Sequence, residues 1–130
     1  MALLDDVADL LTTGGITTTI YRGNLVETPS DAIGLQETGG ISPVRAMSTG
    51  PGKAVFERPT FQIIRRSTSY DTARTEMTTI LSLLDGLSQR TINSTRYAYI
   101  EATQSPFSLG RDDSDRAMLA LNFSAVRTTQ

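Results

Sequence analysis

Three aspartates near the C-terminal end are the residues whose spacing best suits metal binding or acid–base chemistry. Asp112, Asp113 and Asp115 occur within four positions, in the order DDSDR. A calcium loop needs a glycine at the turn and a distal glutamate. Here the turn has no glycine, and Arg116 directly follows the aspartates. Acid–base catalysis would need a second carboxylate cluster or an aromatic-lined cleft, and the sequence shows neither. We therefore expect a solvated turn, or a turn whose carboxylates pair with Arg111 and Arg116.

Two basic segments are candidates for anion binding. Gly50-Pro51-Gly52-Lys53 superficially resembles a phosphate loop, but the Ser or Thr that follows the lysine of GxxxxGK[ST] is missing, and no buried strand precedes it. Arg65 and Arg66 could hold an anion, although two arginines ending a strand are usually a charged edge that discourages unwanted pairing.

Composition excludes several kinds of chemistry. The chain has 130 residues, no cysteine and no histidine, so a thiolate, a Ser-His-Asp triad and the usual zinc ligand sets are all excluded. A net charge of -2 predicts no attraction to nucleic acid or membranes. No apolar run approaches the ~20 residues of a transmembrane helix. Met1 precedes an acidic segment, so we expect no secretory signal peptide. These features predict a protein that is not an enzyme and binds no cofactor or metal.

Apolar residues at helical spacing predict two helices. The first covers Ala2 to Thr12, with Asp5, Asp6 and Asp9 mostly opposite its apolar stripe. The second covers Ser69 to Leu84, capped by Ser67 or Ser69 and ended by Asp85-Gly86. Met77 is expected to fill the core of the molecule.

Alternating apolar residues predict the strands. Leu119, Leu121, Phe123 and Ala125 should face the core, with Asn122 and Ser124 on the other face. For the run that starts at Tyr97, the face of Ala98, Ile100 and Ala102 is favoured as the core side, with the tyrosines as the alternative. A long, acidic-tipped loop should join these two antiparallel strands. Further extended runs cover residues 16–22, 32–36 and 55–66, and Pro59 indicates a bulge or an edge position in the last of them.

The segment from Thr38 to Lys53 is the least regular part of the chain. It contains four glycines and two prolines in sixteen residues, so we expect a long irregular loop at about 38–54. Together these elements predict one α+β domain, residues 1–130. It should have a mainly antiparallel sheet of four or five strands with two helices packed on one face. The other face would be solvated or covered by another subunit.

A series of short motifs between Phe56 and Arg127 resembles a known family. They are FQIIRR at 61–66, Tyr70 opening a helix that ends LDGL at 84–87, YxYIxA at 97–102, QSPFxLGRDD at 104–113, Arg116, and Asn122-Phe123. This pattern is similar to the small minor capsid and tail-completion proteins of long-tailed bacteriophages.

The resemblance implies a tail-terminator-like fold and a structural virion protein at the head–tail junction, assembled in the host cytoplasm. Such a protein forms a hexameric ring that caps the tail tube, ends its polymerisation and joins it to the head connector. A head-side connector or stopper is one alternative, and a non-viral small-molecule or anion-binding domain is another. The family has no catalytic residues to carry over.

A ring subunit needs head-to-tail contacts that close by rotation. Our candidates for these contacts are an arm from Thr38 to Lys53, a loop from Pro106 to Asp115, and the pair Arg65 and Arg66. The interface residues are Ile41, Val44, Arg45, Met47, Lys53, Arg65, Arg66, Phe107, Leu109 and Arg111. Asp112, Asp113 and Asp115 are the candidate acidic residues facing a lumen through which DNA passes without specific binding.

Overall fold

The computed structural model describes residues 3–23, 30–44, 56–93, 95–112 and 114–128. In chain order the elements are α1 (Leu3–Thr13), β1 (Ile20–Arg22), β2 (Ala32–Val44), β3 (Phe56–Ser67), α2 (Tyr70–Leu84), β4 (Leu87–Ile92), β5 (Thr95–Ala102), β6 (Phe107–Arg111) and β7 (Ala117–Thr128). Both predicted helices are therefore confirmed to within one or two residues. Within the described residues, no helix is long and apolar enough to cross a membrane.

The strands form one open sheet in the order β1-β2-β3-β7-β5-β4. Strand β6 pairs with the first part of β7, and β5 pairs with the rest of it. All pairs are antiparallel except β1 with β2, which is parallel. The α+β prediction is confirmed, but the expected four or five strands become seven. Strands β4 and β6 were missed because their sequences, LSQRTI and FSLGR, lack an alternating apolar face.

One face of the sheet and both helices enclose a single core. Strand β7 contributes Leu119, Leu121, Phe123 and Ala125, as the alternation predicted, and all four are buried. The ring of Phe123 stacks on Phe61 of β3, with the centroids 5.2 Å apart. The helices add a further set of buried side chains: Leu3, Val7, Leu11, Ala73, Met77, Ile80 and Leu84. Asn122 and Ser124 point to the opposite, outer face and are half-buried.

Strand β5 departs from simple alternation. Its register with β7 shifts between Tyr97 and Tyr99. As a result Tyr97 and Ile100, three residues apart, both face the core, whereas Tyr99 is 42% exposed. The expectation that Ile100 faces inward is confirmed, and the two tyrosines lie on opposite faces of the sheet.

The predicted irregular segment at 38–54 is partly strand. Residues 38–44 continue β2, which pairs with β3 through a register shift between Glu37 and Gly39. A Cβ on Gly40 would lie 2.6 Å from the carbonyl oxygen of Arg58, so only glycine fits this close approach. The irregularity that Pro59 indicated is present, but β3 lies inside the sheet and not at its edge. Residues 45–55 lie outside the described residues.

The long strands give the sheet two distant ends. At one end Phe56 pairs with Val44 and Thr128, and at the other Ser67 pairs with Ala117. The twelve residues of β3 span about 36 Å at the usual rise of an extended strand. The candidate residues of β2 and β6 therefore lie at opposite ends.

Helix α2 begins and ends as its sequence predicts. The Ser69 hydroxyl accepts a hydrogen bond from the Thr72 N–H, 3.3 Å away, and so caps the helix. The Asp85 N–H closes the last turn on the Leu81 carbonyl. Between these points the helix lies over β3, β5 and β7. This packing determines which sides of the helix are exposed.

Candidate assembly surface

The end of the sheet that contains β6 carries most of the described candidate residues, and we call it the β6 end. It comprises Pro106 to Arg111, the turn from Asp112 to Arg116 and the first turns of α2. Phe107 pairs with Ala120 and Arg111 with Ala117, so β6 lies along the start of β7. The long loop expected between the two strands therefore contains a strand of its own.

A bulge in β6 exposes Leu109. The register with β7 shifts between Ser108 and Gly110, which makes Leu109 the extra residue. Gly110 has a φ of 91° and its N–H donates to the Ser108 hydroxyl at 3.0 Å. This left-handed backbone favours glycine. Leu109 is left 48% exposed.

The N-terminal part of α2 extends the same surface. Arg74 donates from Nη1 to the Pro106 carbonyl oxygen at 2.8 Å and so joins the helix to β6. Tyr70 lies one turn earlier on the same flank and is 43% exposed. Among the described residues, the exposed large apolar side chains are Tyr70, Tyr99 and Leu109. Two of these three, Tyr70 and Leu109, lie at the β6 end.

The acidic turn is organised by its own arginines, as predicted. Asp112 Oδ1 accepts from the backbone N–H groups of Ser114 and Arg116, and Oδ2 accepts from Arg116 Nε at 2.8 Å. The Arg116 N–H first, and then its guanidinium and the Ser114 N–H, hold the pKa of Asp112 below its ordinary value. Asp115 has a φ of 60° and faces solvent near Arg111, its Oδ1 lying 3.7 Å from Arg111 Nε. Asp113 lies outside the described residues.

The arginine pair is not an open anion site. Arg65 is 3% exposed, and its Nε lies 2.6 Å from Glu76 Oε1 on α2. Arg66 is also buried, and its Nε donates to the Ser30 carbonyl oxygen at 3.2 Å. Both side chains are held by groups of the same chain, and β3 has a neighbouring strand on each side. The prediction of a charged edge is therefore wrong, and neither residue offers an accessible interface.

Thr18 and Asp31 complete the surroundings of Arg65. The Thr18 hydroxyl donates to Glu76 Oε2 at 3.0 Å, and Asp31 Oδ1 lies 3.7 Å from Arg65 Nη1. A hydrogen bond from Ser67, helped by the Arg65 charge, lowers the pKa of Asp31. Arg65 and its two carboxylate partners, Glu76 and Asp31, thus come from three separate parts of the chain.

The candidate residues of the arm lie at the opposite end of the sheet. The backbones of Ile41 and Val44 pair with Arg58 and Phe56 of β3. Arg45, Met47 and Lys53 fall outside the described residues.

A buried polar network that sequence reasoning missed ties α1 to the sheet. Asp6 is fully buried; its Oδ2 accepts from the Tyr97 hydroxyl at 2.5 Å and its Oδ1 from Asn93 Nδ2 at 2.8 Å. Arg127 donates from Nη1 to the Tyr97 hydroxyl and from Nε to Glu57, at 3.4 and 2.8 Å. Burial, and then the Asp6 carboxylate, raise the pKa of Tyr97 far above its ordinary value. The network joins groups from α1, β3, β5 and β7, which identifies it as structural.

The first turns of α1 also reach the other edge of the sheet. Asp5 Oδ1 lies 2.6 Å from Arg22 Nε on β1, while Asp9 accepts from Asn93 beside β4 at 2.7 Å. The sheet therefore curls so that both of its edges approach α1. Within the described residues, no three potential metal ligands converge.

Comparison with known proteins fits this architecture. The family model described as "Bacteriophage tail terminator protein" matches residues 6–129. The chain belongs to this tail terminator family. Tail terminators are structural proteins of the virion, so this protein is a virion tail protein of a phage-like particle. The family resemblance inferred from the motifs between Phe56 and Arg127 is confirmed, and it extends through most of α1.

A solved structure shares the fold. A chain of the structure titled "Virion of native gene transfer agent (GTA) particle" superposes with a TM-score of 0.72 at 14% identity. The match covers 98% of this chain and 96% of that one. At this identity the likeness concerns the fold alone. Comparison with curated protein sequences gives no match.

Proposed function

We propose that this tail terminator caps the tail tube, ends its polymerisation and joins the tube to the head connector. The family match over residues 6–129 carries the proposal. The described structure is compatible with it, because the exposed features are a bulged edge strand, a preorganised turn and apolar side chains that suit protein contacts.

We further propose that the assembled form is a hexameric ring at the head–tail junction. The two ends of the sheet lie about 36 Å apart by the rise of an extended strand. One end leads into the arm of Ile41 and Val44, and the other carries Phe107, Leu109 and Arg111. A subunit with two such ends can contact the tail tube with one and the head connector with the other. Native mass spectrometry should show closed six-subunit species, whereas open, concentration-dependent chains would contradict the ring.

We propose that the acidic turn faces the lumen of the ring and that this lumen does not bind DNA. Asp112 is engaged with Arg116, but the side chain of Asp115 is 87% exposed and available to repel phosphates. A ring of Asp115→Lys should bind duplex DNA at low salt, while the wild-type ring does not. Equal DNA binding by the two rings would place the turn away from the lumen.

The particle that the protein binds distinguishes a tail terminator from a head-side connector. Purified protein should cosediment with uncapped tail tubes when no heads are present. Cosedimentation with DNA-filled heads and not with tubes would instead assign it to the head side. Binding to neither particle would overturn both functions.

A further inference from the structure

Three polar side chains form one row across the core face of the sheet, at the end that leads into the arm. Tyr97 of β5 pairs with Arg127 of β7, and Arg127 pairs with Glu57 of β3. Directly opposed residues of an antiparallel pair share a face, so the strand register itself brings these groups together. Arg127 donates to the Tyr97 hydroxyl at 3.4 Å and to Glu57 Oε2 at 2.8 Å. The side chains therefore link three neighbouring strands.

The row continues into α1 through a buried carboxylate. Asp6 is fully buried, and its Oδ2 accepts from the Tyr97 hydroxyl at 2.5 Å. Its Oδ1 accepts from Asn93, which also donates to Asp9 at 2.7 Å. Hydrogen bonds thus run without a break from Glu57 to two carboxylates of α1. We call this chain of groups the relay; it comprises Glu57, Arg127, Tyr97, Asp6, Asn93 and Asp9.

Glu57 is the end of the relay that another protein can reach. Its side chain is 39% exposed, whereas that of Arg127 is 15% exposed. The next residue, Arg58, pairs with Ile41 of β2, so Glu57 lies where the sheet leads into the arm. A partner that binds this end through a basic side chain would compete with Arg127 for the Glu57 carboxylate.

The position of Arg127 depends on that carboxylate. Burial opposes the guanidinium charge, but the Tyr97 hydroxyl and Glu57 outweigh it, so the pKa of Arg127 is raised. Without Glu57, the guanidinium keeps no carboxylate partner among the described residues, and a buried charge without a partner is costly. Arg127 must then shift, and the hydroxyl that it shares with Asp6 shifts with it.

We propose that the relay couples the arm end of the sheet to α1, so that loss of the Glu57 carboxylate from Arg127 loosens α1. Glu57 makes no described hydrogen bond to α1, and it acts on the helix through Arg127 and Tyr97. The coupling goes beyond the capping of a tail tube and requires only the folded chain. Its presence and the capping role are therefore tested separately.

Amide hydrogen exchange of the full chain tests the proposal. Glu57→Gln keeps the shape of the side chain and removes its charge. Amides of α1 should exchange about tenfold faster than in the wild type, as for the loss of one hydrogen bond to a charged group, while amides of α2 should change much less. Glu101→Gln, at an exposed position of β5, is the matched control and should leave α1 unchanged.

Two outcomes of this exchange experiment would overturn the proposal. The first is an unchanged exchange rate in α1. The second is equal acceleration in α1 and α2, which would mean that Glu57 contributes only to global stability. Normal capping of tail tubes by a protein that shows either outcome would leave the proposed function standing.

A double-mutant cycle measures the coupling independently. Glu57→Gln and Asp6→Asn are compared singly and together by urea denaturation, and Asn93→Gly replaces Asp6→Asn if that variant does not fold. Distant residues without shared partners have additive effects, whereas members of one network do not. The unfolding equilibrium constant of the double variant should therefore rise by about tenfold less than the product of the two separate effects. Additive effects, as expected for the control pair Glu101→Gln with Asp6→Asn, would contradict the coupling.

Discussion

Buried charged and polar side chains explain most of what sequence reasoning missed at the residue scale. Helical spacing placed Asp6 opposite the apolar stripe of α1, and Arg65 and Arg66 were interpreted as a charged strand edge, but all three are buried. The partner of Asp6 is Tyr97, 91 positions away, and that of Arg65 is Glu76 on α2. Local periodicity carries no information on such distant partners, so only the folded chain reveals these pairs. The Asp112 pairing was predictable because Arg116 lies four residues away.

Removing the Tyr97 hydroxyl should destabilise the fold without changing the core shape. Tyr97→Phe leaves the buried Asp6 carboxylate with one donor fewer, at a cost of about 1–2 kcal/mol in the free energy of unfolding. Urea denaturation measures this change. Tyr99→Phe, at an exposed position on the same strand, is the control and should leave the midpoint unchanged. Equal midpoints for Tyr97→Phe and the wild type would show that the hydrogen bond makes no net contribution to the free energy of unfolding.

Breaking the buried ion pair should be more costly than replacing it. Glu76→Ala leaves the Arg65 guanidinium, 3% exposed, with Asp31 as its remaining carboxylate neighbour, which is expected to cost about 3 kcal/mol. The double variant Arg65→Met with Glu76→Leu removes both charges and should recover most of this loss. If the double variant is no more stable than Glu76→Ala, the unpaired charge is not the cause.

The lowered pKa of Asp112 gives the acidic turn a defined pH dependence. Because the carboxylate is stabilised in the folded state, its contribution is fully present above its unfolded value, near 3.8. That contribution is lost as pH falls through the lower folded pKa. Asp112→Asn should therefore lower the urea midpoint at neutral pH, and the difference from wild type should vanish at pH well below 3.8. A difference that persists at acid pH would show that shape, not charge, is responsible.

At the scale of elements, apolar periodicity predicted what lies against the core and missed what lies at an edge. Helices α1 and α2 and the core side of β7 follow from the sequence because each has one clear apolar stripe. Strand β4 has exposed polar residues on most of its length, and its place at the sheet edge explains this. The glycines at 39 and 40 were interpreted as a loop, whereas they permit β2 to continue past Arg58 through an irregular register.

The bulge in β6 depends on the backbone of Gly110. Its φ of 91° strains any residue with a Cβ atom, so Gly110→Val should cost about 1–3 kcal/mol. Gly110→Asn should cost less, because asparagine tolerates left-handed backbone better than a β-branched residue does. Thermal unfolding of the two variants measures both costs. Equal costs would indicate that the bulge relaxes without this conformation.

At the scale of the whole molecule, a curled seven-stranded sheet exposes its edges, its outer face and its two ends. One end carries exposed apolar and charged side chains around β6, among them Leu109 and Arg111. Motif resemblance in the sequence led to the tail terminator family, and the family match confirms it. The exposure of Leu109 did not follow from the motifs, because the bulge that exposes it forms only when β6 pairs with β7.

Tail-tube growth in the presence of the purified protein is the measurement that tests the central claim most directly. Tube protein should be allowed to polymerise with and without this chain, and tube lengths and ends should be measured by electron microscopy. We predict that added protein stops elongation and leaves a ring at one end of each tube. Tubes that keep their growth rate, with bare ends at saturating protein, would contradict the assignment of the capping role.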